Sequence, residues 1–256
     1  MQPISVTFDS NVWENIVDDT KRIAQPVYET LYQDIIDKKI IPFFFVGIIT
    51  TESIPKKDRQ EYMKNLKATI IFQVEDEDEE PYITHGSKAP ELTPYLNENI
   101  PKALKMGFKF LKNPRIGGIG LDSNNKFLAD DVKYSLKERL NRTVECTRYI
   151  ESLGAGKANL ENKLDGNSDK GIIHQTINDT SVNTKQYAKG IAEWVDGDAL
   201  GAHYGYGVDY FCTNDKASGT GSSSVFSPLN LANLKSKYQI NVISPNELVN
   251  ILKQNV

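Results

Sequence analysis

The chain has 256 residues and a mass of 28.8 kDa, with 39% hydrophobic and 25% charged residues. This composition is typical of a folded globular protein and excludes a disordered or fibrous chain. The net charge of −4 argues against a protein that coats nucleic acid by charge alone, but it does not exclude a nuclease with a local basic surface.

Several features bear on location. The longest apolar run, residues 40–49, is about half of the roughly 20 residues that span a bilayer, and Pro42 interrupts it. Residues 1–3 lack the basic and apolar regions of a signal peptide. Cys146 and Cys212 are too few for a disulfide framework and too sparse for a zinc site. We therefore expect a cytoplasmic protein with reduced thiols and no membrane segment.

The first 55 residues predict a strand, a helix and a second strand. Residues 4–8 alternate and are rich in β-formers, which favours a strand that ends before Asp9. Apolar residues at intervals of four predict a helix from residue 18 to residue 39. The apolar run at 40–49 predicts a strand buried on both faces, followed by Glu52. Strand, helix, strand is the βαβ unit of a parallel sheet.

The middle of the chain is less regular. Residues 67–74 predict a strand, and the acidic run at 75–80 predicts a solvated loop because neighbouring like charges repel. Residues 130–153 predict the longest helix, which ends at Gly154. Four lysines within residues 101–112 recur at the spacing of one helix face: Lys102, Lys105, Lys109 and Lys112. This spacing favours the solvated face of a helix or a basic surface for nucleic acid.

The last quarter alternates again between helix and strand. We expect a helix from residue 185 that breaks at residues 195–198 and then restarts, so that Asp198 opens its second segment. The remaining elements are a strand at 208–213, a Gly- and Ser-rich loop at 217–224, a strand at 240–243 and a helix at 245–253. Ser244 is the expected N-cap of the last helix, with Glu247 three residues later.

Four acidic residues stand at the ends of these elements: Asp9, Glu52, Asp198 and Asp215. The carboxyl edge of an open α/β sheet is where ligands bind, so acids at this edge converge on one crevice. Carboxylates at close range raise one another's pKa, and a hard divalent cation is the usual remedy. A metal pair about 4 Å apart activates water and neutralises phosphoryl charge, so the set predicts phosphate chemistry.

Each acid also has a purely structural interpretation. Asp198, or Asp196 two residues earlier, suits a helix cap, and Asp9 and Asp215 suit turns at strand ends. The coincidence of all four favours a site. Glu193 and Asp196 stay open as substitutes for, or additions to, the third acid. Three separated histidines are expected to be structural: His85, His174 and His203.

The ordered set of motifs resembles the PIN-domain ribonucleases. The resemblance rests on residues 8–12 (Phe-Asp-Ser-Asn-Val), Glu52, residues 197–200 (Gly-Asp-Ala-Leu), residues 209–215 and the non-catalytic residues 240–248. It covers about residues 1–55 and 185–256, in the order that the family shows. It implies a single PIN-like α/β domain over residues 1–256. In this three-layer fold helices flank a central, mostly parallel sheet, and a largely helical insertion or extra layer occupies about 75–180.

The resemblance also implies a Mg²⁺- or Mn²⁺-dependent nuclease that cleaves single-stranded or structured RNA. Asp9, Asp198 and Asp215 would hold the metal directly, and Glu52 would contribute directly or through water. Asn11, Thr213 and Asp196 would support the metal ligands or the substrate phosphate. Independently of the resemblance, the spacing of the basic residues suggests that the lysines at 102–112, with Arg139, Arg142 and Arg148, guide the nucleic-acid strand towards the acids.

Other interpretations stay open. DNA as substrate, a homodimer and an antitoxin-like partner are not excluded, although the long interval between Glu52 and Asp198 argues against a minimal toxin. A non-catalytic PIN-like nucleic-acid-binding or scaffolding module is the main alternative function. A Mg²⁺-dependent phosphatase of the haloacid dehalogenase type is weaker, because it needs an aspartate where Asn11 stands.

Overall fold

The computed structural model describes residues 2–64, 68–71, 82–85, 90–113, 115–116, 127–129, 133–164, 184–215, 221 and 223–254. The strands are β1 (Ile4–Phe8), β2 (Ile40–Phe45), β3 (Ala68–Ile71), β4 (Tyr82–His85), β5 (Lys109–Leu111), β6 (Tyr210–Cys212) and β7 (Val242–Ile243). Five of them form one sheet in the order β5-β2-β1-β6-β7, and every neighbouring pair in it is parallel. The other two, β3 and β4, form a separate antiparallel pair.

Helices cover this sheet. They are α1 (Ser10–Val17), α2 (Asp19–Ile23), α3 (Pro26–Ile36), α4 (Val46–Glu52), α5 (Arg59–Lys64), α6 (Pro94–Lys105), α7 (Leu136–Ser152), α8 (Lys157–Leu164), α9 (Thr184–Tyr206), α10 (Pro228–Tyr238) and α11 (Pro245–Gln254). The predicted α/β class, with a parallel sheet flanked by helices, is confirmed. None of the helices in the described ranges is long and apolar enough to cross a membrane.

The two faces of the sheet contact different helices. On one face, the ring of Phe44 in β2 lies 5.6 Å from that of Trp13 in α1, and α1 packs against α3 and α6. On the other face, Thr7 of β1 shares a hydrogen bond of 3.0 Å with His203 of α9. The ring of His203 also meets Phe211 of β6 edge to face. Because side chains alternate along a strand, β1 builds both layers of the core.

Glycines set the packing of α9 on α7. Gly201 and Gly205 are four residues apart and therefore share one face of α9. A Cβ atom on Gly205 would lie 2.9 Å from the carbonyl oxygen of Arg139, and one on Gly201 would collide with Thr147. Gly197, four residues earlier, meets the backbone of Gly156 in the same way. This glycine face brings the two backbones close together and fixes the rotation of α9 about its axis.

Two early boundaries differ from the prediction. The single helix predicted for residues 18–39 is two helices, α2 and α3, since Gln25 is extended before Pro26 at the start of α3. The predicted strand at 40–49 ends at Phe45, and residues 46–52 form α4. A short apolar run does not distinguish a buried strand from a buried helix. Glu52 is therefore the last residue of a helix and does not follow a strand directly.

Two later predictions about helices are wrong. The chain does not break at residues 195–198, because α9 continues through them. The four lysines do not share a helix face either, since α6 ends at Lys105 and Gly107 adopts a φ of +100° that only glycine accepts readily. Lys109 is the first residue of β5, and Lys112 follows that strand.

The interval at about 75–180 is not separate from the domain. It contributes β5, an edge strand of the central sheet, and α7 and α8, which pack on α9. The acidic run at 75–80 and His174 lie outside the described residues, as does most of the Gly- and Ser-rich stretch at 217–224.

Candidate functional site

Asp9 lies at the carboxyl edge of the sheet, directly after β1. Its backbone N–H donates to the carbonyl of Cys212 at 3.0 Å, which extends the pairing of β1 with β6. Its carboxylate caps α1 by accepting a hydrogen bond of 2.7 Å from the backbone N–H of Ser10. The residue is 4% exposed. The sheet and the start of α1 therefore hold this carboxylate in one place.

The loop after β6 orients the same carboxylate. Thr213 Oγ1 donates to Asp9 Oδ2 at 2.7 Å, and Asn11 Nδ2 donates to the same oxygen at 3.0 Å. The backbone N–H of Asp215 donates to Thr213 Oγ1 at 3.0 Å, and that of Asn214 donates to Asn11 Oδ1 at 3.0 Å. The structure thus brings together four of the predicted residues, namely Asp9, Asn11, Thr213 and Asp215.

The carboxylates of this edge act on one another. Burial raises the pKa of Asp9 to about 6, and the charge of Asp215 adds to this shift against the hydrogen bonds from Thr213, Ser10 and Asn11. Burial also raises the pKa of Glu52 to about 7; the charges of Glu14 and Asp9 raise it too, while a hydrogen bond from Ser10 and the charge of Arg59 lower it. Asp9, Glu52 and Asp215 therefore belong to one electrostatic cluster.

Asp196 of α9 is a further member of the cluster. Its pKa lies well above the ordinary value, because of burial and then because of four other carboxylates: Asp9, Glu193, Asp215 and Glu52. Part of its surface stays accessible even though protein surrounds it closely. Such a carboxylate can reach a ligand, and Asp196 is the aspartate of α9 on which the charges of Asp9, Glu52 and Asp215 act.

Asp198 is not brought to this cluster. Its Oδ1 forms an ion pair of 3.4 Å with Nε of Arg115, which also contacts Glu151 of α7 at 2.5 Å. Burial raises the pKa of Asp198 to about 6, and Arg115 is the strongest influence that opposes this rise. The predicted role of Asp198 as a metal ligand therefore does not fit its surroundings, which belong to the packing of α9 on α7.

Helix geometry explains the difference between the two aspartates. Because α9 is continuous, residues 196 and 198 point about 200° apart around its axis. Asp196 and His203 are seven residues apart, close to two full turns, and so share a face. His203 contacts Thr7 of the sheet, whereas Asp198 lies on the side of the glycine face. The spacing of Glu193, Asp196 and His203 was the signal in the sequence that could have identified Asp196.

The cluster has the donor chemistry of a hard cation site. Its side chains are carboxylates, the ligands that Mg²⁺ and Mn²⁺ prefer. Glu52 Oε2 is buried, and no group in the described residues donates a hydrogen bond to it, so it has a free lone pair for a cation. In the described part of the chain, however, no three His, Cys, Asp or Glu side chains already stand in an arrangement that holds an ion. The residues fit a metal by chemistry, and binding would require them to draw closer.

The predicted basic residues have mostly local partners. Lys102 pairs with Glu98 on the next turn of α6 at 2.8 Å. Arg142 donates to the carbonyl of Tyr204 and stacks on the ring of Tyr204, and Arg139 stacks on Tyr206. These contacts join α7 to α9. Within the described residues, the cation whose charge acts on Glu52 is Arg59, which no pattern in the sequence indicated.

Comparison with known proteins identifies no relative: no protein-family model matches the chain, and no curated protein or solved structure is significantly similar to it. The resemblance to the PIN-domain ribonucleases therefore rests on the ordered residues alone and stays a prediction.

Proposed function

We propose that this chain is a metal-dependent nuclease, most directly a ribonuclease, whose Mg²⁺ or Mn²⁺ is held by Asp9, Asp196 and Asp215, with Glu52 as a further ligand. One observation carries the proposal: at the carboxyl edge of a parallel sheet, burial and the charges of neighbouring carboxylates raise the pKa of Asp9, Glu52 and Asp196, and the charge of Asp215 contributes to the shifts of Asp9 and Asp196. The ordered resemblance to PIN-domain ribonucleases supports the choice of RNA. The buried free thiols of Cys146 and Cys212 agree with a cytoplasmic location.

When bound, the metal would make water nucleophilic near neutral pH and neutralise charge on the phosphoryl oxygens. The residues of the chain prepare the site for it. Thr213 and Asn11 hold Asp9 in one orientation through the hydrogen bonds that they donate to Oδ2. Without metal the pKa of Glu52 is about 7, so Glu52 is partly protonated near neutral pH and would release its proton when the cation binds.

The test is cleavage of end-labelled single-stranded RNA and DNA by the full chain with Mn²⁺ and with EDTA. We expect RNA cleavage that needs the metal. Asp9→Asn and Asp196→Asn should each lose at least about 100-fold in rate, because they remove a ligand rather than an outer partner. Asp198→Asn is the matched control on the same helix, and it should keep activity within about tenfold, since it weakens only an ion pair with Arg115.

Other outcomes select the alternatives. Equal cleavage by the wild-type chain and by Asp9→Asn would identify a contaminating nuclease. Binding of RNA or Mn²⁺ without cleavage would favour the non-catalytic nucleic-acid-binding or scaffolding module. Hydrolysis of p-nitrophenyl phosphate but not of RNA would favour a phosphatase. Loss of activity in Asp198→Asn equal to that in Asp196→Asn, with both variants folded, would show that the third ligand is misassigned.

A further inference from the structure

The turn between α4 and α5 places positive charge beside the acids. It begins after Glu52, carries Lys56 and Lys57, which are exposed, and ends at Arg59, which is partly buried. Arg59 is close enough to Glu52 for its charge to lower the pKa of that carboxyl. A site that must attract a polyanion to a group of carboxylates needs positive charge of this kind at its rim.

The backbone holds the side chain of Arg59. Its Nε donates to the carbonyl of Ile54 at 3.2 Å, across the turn. This turn is itself closed by hydrogen bonds from Asp58 N–H to the carbonyl of Pro55 at 2.8 Å and from Tyr62 N–H to the carbonyl of Asp58 at 3.0 Å. An arginine anchored through Nε keeps its two terminal nitrogens in a fixed plane, where they form the fork that matches two oxygens of a phosphate.

Two other arginines of the described chain pair with carboxylates. Arg22 forms ion pairs with Asp19 and Glu29, and Arg115 forms them with Glu151 and Asp198. Within the described ranges, Arg59 has no carboxylate within 4 Å, although burial lowers its pKa. Partial burial of a cation without an ion pair is costly, and a phosphate would offset that cost.

We propose that Arg59 is a phosphate-binding residue of the nucleic-acid site, which contacts the non-bridging oxygens of a backbone phosphate next to the carboxylate cluster. This inference rests on the proposed function and extends it, because it assigns the side of the carboxylate cluster along which the nucleic-acid strand runs. The nucleic acid would pass over the turn at 53–59, not along the lysines of residues 102–112.

The test measures binding separately from cleavage. A fluorescent single-stranded RNA is titrated with the full chain at several salt concentrations in Ca²⁺, a cation that also binds carboxylates but activates water less strongly than Mn²⁺, so that binding is measured without cleavage. We expect Arg59→Gln to weaken binding about tenfold and to reduce the slope of log K against log salt by about 0.7, the value for one phosphate contact on a single strand. Arg59→Lys should keep the slope but bind more weakly than the wild type, because a lysine cannot form the fork.

Two controls separate this role from a structural one. Lys137→Gln removes an exposed lysine of α7. Lys137 lies four residues after Lys133, whose side chain donates to Asp209 at the opposite edge of the sheet from the acids. The substitution should therefore leave both the affinity and the slope unchanged. Mn²⁺ affinity by calorimetry should be the same in Arg59→Gln as in the wild type. If Arg59→Gln fails to fold, the reduced affinity of Arg59→Lys decides the question.

The outcomes are distinct. Wild-type affinity and slope in Arg59→Gln, or wild-type affinity in Arg59→Lys, would overturn the assignment of Arg59 while leaving a cleaving enzyme intact as a nuclease. Absence of cleavage by the wild-type chain, with RNA binding still sensitive to Arg59, would overturn the nuclease and keep the phosphate contact.

Discussion

Glu52→Gln offers a direct test of the electrostatics of the cluster in the absence of metal. The substitution keeps the size of the side chain and removes its charge. Glu52 is the most suitable of the acids, because no group in the described residues donates a hydrogen bond to its Oε2, so the amide loses little when it replaces the carboxylate. Burial, and to a smaller extent the charges of Glu14 and Asp9, makes ionised Glu52 unfavourable, so removing its charge should stabilise the metal-free protein at neutral and alkaline pH.

The magnitude follows from the raised pKa. The pKa of Glu52 rises from 4.5 to about 7 on folding, so the folded state binds its proton more tightly than the unfolded chain does. That contribution to stability is complete below pH 4.5 and disappears as the pH rises through 7. At pH 8.5 ionised Glu52 therefore costs about 3 kcal/mol relative to Gln, and at pH 5 less than about 1 kcal/mol. For a chain of this size, 3 kcal/mol corresponds to a shift in Tm of about 6 to 12 °C.

The assay is thermal unfolding of the wild type and of Glu52→Gln in EDTA from pH 5 to pH 8.5, repeated with excess Mn²⁺. In EDTA the Tm of the variant should exceed that of the wild type increasingly as the pH rises. In Mn²⁺ the difference should shrink or reverse, because a bound cation stabilises only the folded state and prefers the carboxylate. A variant that is no more stable than the wild type at pH 8.5 in EDTA would refute the raised pKa of buried Glu52.

Three further predictions concern the surroundings of the cluster. Thr213→Val removes the hydrogen bond to Asp9, so the pKa of Asp9 should rise further and Mn²⁺ affinity should fall by about 10- to 100-fold; equal affinities by calorimetry would contradict this. Burial lowers the pKa of His203 to about 3, so its contribution to stability is present above pH 6.5 and is lost as the pH falls towards 3. The loss in free energy of unfolding that His203→Gln causes should therefore be about 2 kcal/mol smaller at pH 5 than at pH 7, as measured by urea unfolding. A loss that is the same at both pH values would argue against a neutral buried imidazole. Gly205→Ala should lower the free energy of unfolding by about 1 to 3 kcal/mol because its Cβ meets a backbone carbonyl of α7, whereas Lys189→Ala on an exposed position of the same helix should change it by less than about 0.5 kcal/mol.

Local patterns were sufficient for much of the fold. Alternating β-formers predict β1 with its observed bounds, Ile4–Phe8, and Ser244 with Glu247 forms the expected capping pair at the start of α11. The α/β class follows from the order of these elements. Such features depend on contacts between residues close in the chain, so their signals lie within short windows of sequence.

Local patterns failed where several elements compete for one segment. The apolar run at 40–49 suits a strand or a buried helix equally, and only its packing against α9 determines that the chain turns from β2 into α4 at Val46. The lysines at 102–112 have helical spacing, but residues 109–111 pair with β2 and form the edge strand β5. Propensity is a weak prior that tertiary contacts override.

The same distinction applies to the candidate site. Asp9, Asn11, Thr213 and Asp215 were found from the sequence, because each stands next to a strand end and parallel strands deliver their carboxyl ends to one edge. The spacing of Glu193, Asp196 and His203 places Asp196 on one face of α9, but it does not show that this face meets the sheet, so the choice between Asp196 and Asp198 needed the tertiary structure. Which aspartate joins the cluster depends on the rotation of α9 about its axis, and the close packing of the α9 glycines along α7 sets that rotation. The sequence determined that acids gather at this edge, and the tertiary structure decided which aspartate of α9 joins them.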